Sequence, residues 1–462
     1  MKVRYKYFLL TALEYLVGNV FTKLLSFILL PLYTELIAPE LYGIYGVNMS
    51  IIQLIVPVVY VAVWNAVFRY SAEAELEQGR YRVISTGVPI MLLGTTMCVL
   101  VLIIANLFWN LGNPYLVIIY AIANGWQYYY GYVARSMKDN RIFIISGCVN
   151  STINLLMNWI GIAYFHQGIE VLYYSYIIGT TAQILIIELK FHVWSYCEYR
   201  NISRTLLVQL IKFGGPLALN AVMQWLLVGL TQLMIAKMLG TYYNGLFSVA
   251  IKFATLISLL VSIFEFAWLE MAYDIVKSAN STVYYKKVIN ILFVVLMFGS
   301  SAMMLSIKLL FPYFIAEAYH ECLAIIPYIV YYASANAFSS FCGTIYMSYK
   351  SVTTLMGSSL VAGGANLLLL AFLIPNFGFY GALLALVVAG ILMMLMRILV
   401  LKIKYCISLD VTTELYFTVL CVATILFYSV DYALVDIVSL IAYSALFIIV
   451  MRKLCLQYIY SR

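Results

Sequence analysis

The sequence predicts an all-α polytopic membrane protein of about 14 transmembrane helices. They form two six-helix bundles related by a pseudo-two-fold axis along the membrane normal, with two further helices at the C-terminus. Three observations predict this. Of the 462 residues, 65% are hydrophobic and 10% charged, against about 25% charged in a soluble domain. Apolar stretches long enough to cross a bilayer follow one another along almost the whole chain. The basic residues collect in alternate gaps between those stretches, as positive-inside topology requires.

The first span covers residues 7–31. It stands behind a basic start, but its apolar run continues past Lys23 without a small-residue cleavage site, so it reads as a retained span and not as a signal peptide. Five more follow at 42–68, 83–106, 114–134, 142–164 and 168–189. A second six occupies 211–236, 243–267, 288–309, 322–345, 355–374 and 378–400, and the last two are 411–429 and 435–451. Threading these spans puts 23 of the 27 basic residues on one side, among them Arg69, Arg135, Lys190, Lys286 and Arg397. The opposite loops hold only Lys237 and Lys308, at their edges. Both termini are therefore predicted to be cytoplasmic. Outer connections such as Pro31 to Leu41 are short and leave no room for an extracytoplasmic domain. The expected units are residues 1–205, 206–405 and 406–462, the last being the two extra helices and a tail.

Several function classes drop out. The net charge of +8 is spread between apolar runs instead of forming a patch, so nucleic-acid binding is not expected. The eight cysteines contain no CxxC pair, and a disulfide framework is not expected. His166, His192 and His320 are far apart and belong to no HExxH motif, which leaves no visible metal ligand set and no cofactor. No GxxxxGK[ST] sequence occurs. An ATP-driven transporter would need a separate subunit.

The two sets of six spans resemble each other. Leu41-Tyr42-Gly43-Ile44-Tyr45-Gly46-Val47 answers Tyr243-Asn244-Gly245-Leu246-Phe247-Ser248-Val249, an offset of 202, while Lys138 with Lys350 and Asn154 with Asn366 match at 212. Six spans per repeat is an even number, so both repeats have one orientation and enclose a cavity between them.

Here the residues carry a family resemblance. The stretches P-E-L-Y-G-I-Y at 39–45, K-F-G-G-P-L at 212–217, G-L-F-S-V-A-I-K at 245–252 and N-L-L-L-L-A-F-L-I-P-N-F-G-F-Y-G-A at 366–382, with A-R-S-M-K-D-N-R at 134–141, resemble the Wzx-type polysaccharide and O-antigen flippases. The resemblance spans about 400 residues in consistent order. It implies the multidrug/oligosaccharidyl-lipid/polysaccharide exporter fold in a bacterial inner membrane. It also implies movement of undecaprenyl-pyrophosphate-linked oligosaccharide from the inner to the outer leaflet for surface polysaccharide such as O-antigen or capsule. A glycan polymerase and a chain-length regulator are the partners it implies. Composition by itself shows only a polytopic membrane protein.

Ionisable groups inside spans are expensive and mark function by default. On span 1, Tyr15, Asn19, Thr22, Lys23, Ser26 and Tyr33 share an arc of about 100°, a polar stripe that lipid would reject. On span 8, Ser248, Lys252, Thr255 and Ser262 share a similar one. Lys23 lies about 12 Å and Lys252 about 13 Å below the outer ends of their helices, so the two ammonium groups are expected at one level, facing the pyrophosphate or acidic sugars of the substrate. The competing reading is a pair of lysines that snorkel to the outer interface. Asn220, Gln224 and Thr231 on span 7 offer hydrogen bonds to sugar hydroxyls or, equally, between helices. On span 5, Gly147, Asn150, Asn154 and Asn158 read as helix packing. Glu14 either binds a coupling H⁺ or Na⁺ or reaches the cytoplasmic interface; nine residues from Lys23, it faces half a turn away and does not pair with it. Arg69, Arg135 and Arg397 read first as positive-inside anchors, and the tyrosine clusters 128–130 and 328–332 mostly as interfacial belt.

The expected function is therefore a flippase without covalent chemistry, working by alternating access. A multidrug-type cation-coupled exporter on the same fold is the alternative, disfavoured because lysines in the cavity repel cationic cargo. A glycan polymerase or ligase would present paired catalytic groups on a large outer loop, which this chain lacks.

Overall fold

The computed structural model describes residues 27–460 apart from residues 75, 110, 166–167, 198–201, 276–280, 350, 411–419, 421–422, 429 and 431–432. Helices account for nearly all of it. In chain order they are α1 (Leu30–Leu36), α2 (Pro39–Val59), α3 (Val63–Glu73), α4 (Glu77–Phe108), α5 (Pro114–Ser136), α6 (Asn140–Asn158), α7 (Glu170–Phe191), α8 (Arg204–Met238), α9 (Thr241–Ile275), α10 (Ser281–Phe314), α11 (Cys322–Ser348), α12 (Val352–Tyr405) and α13 (Ala433–Tyr460). Among the described residues, nine helical segments are long and apolar enough to cross a membrane.

The helix boundaries follow local chemistry. Pro39 and Pro114 open α2 and α5, where a missing amide proton costs nothing. Asn113, Asp139 and Ser203 cap α5, α6 and α8 by accepting from Leu116, Ile142 and Leu206 amides. His192 and Cys406 end α7 and α12 in the left-handed region. Many helices overrun their apolar span, as Arg204 to Lys212 does in α8, because polar turns continue the helix into water. α12 contains two predicted spans run together: Gly378, the first residue of the second, has φ +56° and ψ −132°, three residues after Pro375. A Cβ there would be strained, and the chain reverses at the break the sequence marks with Pro and Gly.

The chain divides into two compact units after Gly245. In the first, α2 packs along α8, α3 sits among α4, α5 and α8, and α7 lies against α5 and α6. In the second, α11 packs along α12, and α10 packs against α11 and α13. α8 lies along α2 and α3 and so packs with the first unit. Residues 42–68, expected as a single span, form two helices broken at Tyr60–Ala62. Residue 159 onward, expected as plain helix, continues α6 as a π-helical turn, Trp159–Tyr164.

Candidate functional site

The strongest geometric feature joins the two halves of the sequence repeat. A Cβ placed on Gly43 would lie 1.9 Å from the carbonyl oxygen of Thr241, and one on Gly245 would lie 1.9 Å from that of Pro39. Residues 39 and 241 differ by 202, as do 43 and 245, the offset of the repeat. Each helix start therefore sets its first carbonyl against the glycine one turn into the other. Reciprocal contact of this kind is the signature of a local two-fold. Asn244 Nδ2 reinforces the crossing by donating to Gly43 O at 2.7 Å. Glycine is required at both positions by backbone approach.

The same face of α2 is held further along α8. Ser50 Oγ donates to Gly229 O at 2.8 Å, and Trp225 Nε1 donates to Ser50 O at 2.8 Å. Gly229 leaves the space that the Trp225 indole occupies. At the far end, Gly214 of the K-F-G-G-P-L motif lies against the carbonyl of Val61, which an added Cβ would approach to 2.1 Å. Gly43, Ser50 and Val61 thus meet α9 and α8 at three successive levels, antiparallel.

The predicted cavity residues are distributed unevenly over this frame. Lys23, Asn19, Ser26 and Glu14 lie outside the described residues. On α8, Asn220 is half-buried, and its Oδ1 is buried without a hydrogen-bond partner among the described residues. Gln224 is exposed. Thr231 is buried and donates to Leu227 O on its own helix at 2.7 Å. Lys252 is half-buried on the stretch of α9 that belongs to the second unit, and its carbonyl accepts from Thr255 Oγ1 at 2.6 Å.

The three arginines expected as simple anchors have three different environments. Arg69 pairs with Glu73 at 3.0 Å in the open. Arg135 stands over the rings of Phe68 and Tyr132, at 4.9 and 5.0 Å from their centroids. Arg397 is 2% exposed. Its guanidinium donates to Ser358 Oγ (3.0 Å), Ser359 Oγ (2.9 Å) and the carbonyl of Ser339, joining α11 to both halves of α12. For Arg397 the surroundings are more than an anchor needs: the partners that replace water for the buried guanidinium are neutral oxygens.

Sequence reasoning missed a buried ion pair. Lys308 of α10 lies 3.3 Å from Asp436 of α13, their side chains 7% and 4% exposed, and donates to Val430 O at 2.6 Å. At the other end of α10, Lys286 meets Asp410 at 2.9 Å. Also unforeseen is a neutral network in the first unit. Asn124 donates to Tyr176 OH (2.6 Å), that hydroxyl to Gln127 Oε1 (2.5 Å), and Gln127 and Asn150 both to Gln183 Oε1 (2.9 and 2.8 Å). The packing role expected for Asn150 is visible here, and Gly179 of α7 lies against its side chain. Gly147, by contrast, faces open space. Tyr129 and Tyr130 are buried in the protein. So is Tyr332, whose ring fills the space at Gly390.

Among the described residues no three His, Cys, Asp or Glu side chains come together as a metal site, and Cys98, Cys148, Cys197, Cys322, Cys342 and Cys406 are free. What the described residues offer is helix crossings and polar contacts between helices.

The chain has the fold of the MOP-superfamily transporters. It is similar to the lipid II flippase MurJ in an inward closed conformation, with a TM-score of 0.66 and 14% identity over 93% of this chain and 98% of that one. It is similar as well to a multidrug resistance MATE family transporter of the MOP superfamily in its inward-facing conformation (TM-score 0.61, 15% identity, 86% of this chain and 95% of that one). The outward-facing conformation of such a transporter gives a TM-score of 0.58 at 14% identity, over 89% and 96% of the two chains. No curated protein matches the sequence. Residues 11–269, more than half the chain, match the family described as polysaccharide biosynthesis protein, and the chain belongs to that family.

Proposed function

We propose that this protein is a flippase that carries undecaprenyl-pyrophosphate-linked oligosaccharide repeat units from the cytoplasmic to the outer leaflet of a bacterial inner membrane. The observation that carries the mechanism is the reciprocal crossing of Gly43 with Thr241 and of Gly245 with Pro39. Two repeat-equivalent helix starts joined by backbone contact, with little side-chain bulk between them, make a closure that can part and re-form as a unit. Alternating access needs such a gate. Membership of a polysaccharide biosynthesis family and likeness to a lipid II flippase favour a lipid-linked glycan as cargo.

In this reading Lys23 and Lys252 attract the pyrophosphate as compact, mobile charges. Asn19, Ser26, Asn220 and Gln224 hydrogen-bond the sugars, and Glu14 carries the coupling H⁺ or Na⁺. Both termini are cytoplasmic, and the glycan polymerase and its chain-length regulator take the product on the outer side. Likeness to MATE transporters keeps export of amphipathic cations as the second reading.

The test is transbilayer movement of a fluorescent undecaprenyl-pyrophosphate oligosaccharide in proteoliposomes holding only the purified protein, with and without an imposed H⁺ or Na⁺ gradient. Gradient-stimulated movement is expected, reduced at least tenfold in Lys23→Ala and in Lys252→Ala, as loss of a charged phosphate contact implies. Glu14→Gln should bind the substrate but lose gradient dependence. Full activity in both lysine variants would remove the proposed site, and no movement alongside export of an amphipathic cation would favour the second reading.

A further inference from the structure

The break between α2 and α3 is built with care that a passive kink does not need. Val61 and Ala62 have φ of +52° and +43°, a left-handed conformation that is uncommon for any side chain and an outlier for a β-branched one. The amides of Val61 and Val63 reach back three residues, to Val58 O (3.0 Å) and Tyr60 O (3.1 Å), and that of Ala62 reaches back five, to Pro57 O (2.9 Å). None makes the helical bond to the fourth preceding residue.

Three glycines on three other helices are cut to this shape. Gly94 of α4 and Gly125 of α5 enclose the fully buried ring of Tyr60, whose atoms an added Cβ would approach to 2.4 Å from either side. Gly214 of α8 seats the carbonyl of Val61. The Tyr60 hydroxyl is paired with Thr95 Oγ1 at 3.2 Å. Above the break, α2 is fixed to α8 through Ser50 and Trp225. Below it, Trp64 of α3 stacks on Tyr128 of α5 at 5.0 Å.

Backbone strain held in place by such a socket is concentrated at functional and switch regions of proteins. We infer that the Tyr60–Ala62 break is the pivot about which α3 changes direction during transport, and that Gly214 is the seat required by the bent state. A straightened segment would regain helical backbone and lift the Val61 carbonyl off α8. This gives Gly214, within a motif shared with the flippase family, a mechanical role. The inference rests on the transport reading for its purpose but not for its test.

The test uses full-length protein in nanodiscs, without substrate, so its outcome is independent of the cargo. In a background without native cysteines, spin labels on Glu73→Cys, at the exposed end of α3, and Leu189→Cys, on α7, report the direction of α3 by pulsed dipolar spectroscopy. Val61→Gly and Ala62→Gly remove the penalty on the bent state, and each should raise its population on the order of tenfold. Gly214→Ala should shift the distance distribution the other way. One distance unchanged across Val61→Gly, Ala62→Gly and wild type overturns the pivot, and so does a shift of the glycine variants away from the bent distance. These two mild variants decide the matter even if Gly214→Ala does not fold.

Discussion

At the scale of single residues, buried cations decide more than the sequence reveals. Lys308 and Asp436 stand 128 residues apart and meet out of contact with water. Removing one partner leaves the other charge buried and unpaired, a loss of about 3 kcal/mol or more. Lys308→Met is therefore expected to lower the unfolding temperature in detergent clearly, and Lys308→Met with Asp436→Leu to restore most of it; equal losses in the single and double variants would show that the pair contributes nothing beyond packing. Arg397→Lys should also destabilise. An ammonium cannot reproduce the planar fork that reaches Ser339, Ser358 and Ser359, and each lost charge-assisted bond is worth about 1.5–3 kcal/mol. Neither group was legible in the sequence as what it is. A lysine or arginine at the end of an apolar run looks interfacial, and its depth depends on partners far away in the chain. Lys23 and Lys252 stand out in the sequence as charges inside apolar spans, and the role given them is part of the proposal above.

At the scale of helices, the long apolar segments and their order were legible, since hydropathy and alternate basic loops are properties of single segments. The break at Tyr60 was not, because Val58-Val59-Tyr60-Val61-Ala62-Val63 is apolar whether straight or bent. Pro57 was the one local signal, and a proline within a membrane helix is compatible with either. The glycines at crossings, in contrast, have clear consequences. Gly43→Ala or Gly245→Ala drives a methyl into a backbone carbonyl that cannot turn aside, and a crossing so overpacked is expected to lose about 1–3 kcal/mol. Labelling of an introduced cysteine at Glu40 by a membrane-impermeant maleimide should speed up in these variants. An unchanged labelling rate would mean that the crossing yields without opening.

At the scale of the whole molecule, the repeat was legible as a faint offset of 202, and the structure gives that offset physical content: the positions aligned by sequence are the positions that touch. The sequence did not show that α8 lies along α2, and so joins the first compact unit. Repeat boundaries follow duplication, whereas packing follows whichever contacts are made in one state. As proposed, the Gly43–Gly245 crossing is a gate that must part in every transport cycle. The most direct measurement introduces Glu40→Cys with Tyr242→Cys, repeat-equivalent and flanking the crossing, in a background without native cysteines, and records movement of the lipid-linked oligosaccharide in proteoliposomes before and after reduction. If the crossing is the gate, the disulfide forms readily, transport stops while it is intact, and transport recovers when it is reduced. Transport at full rate through the cross-linked protein would contradict it.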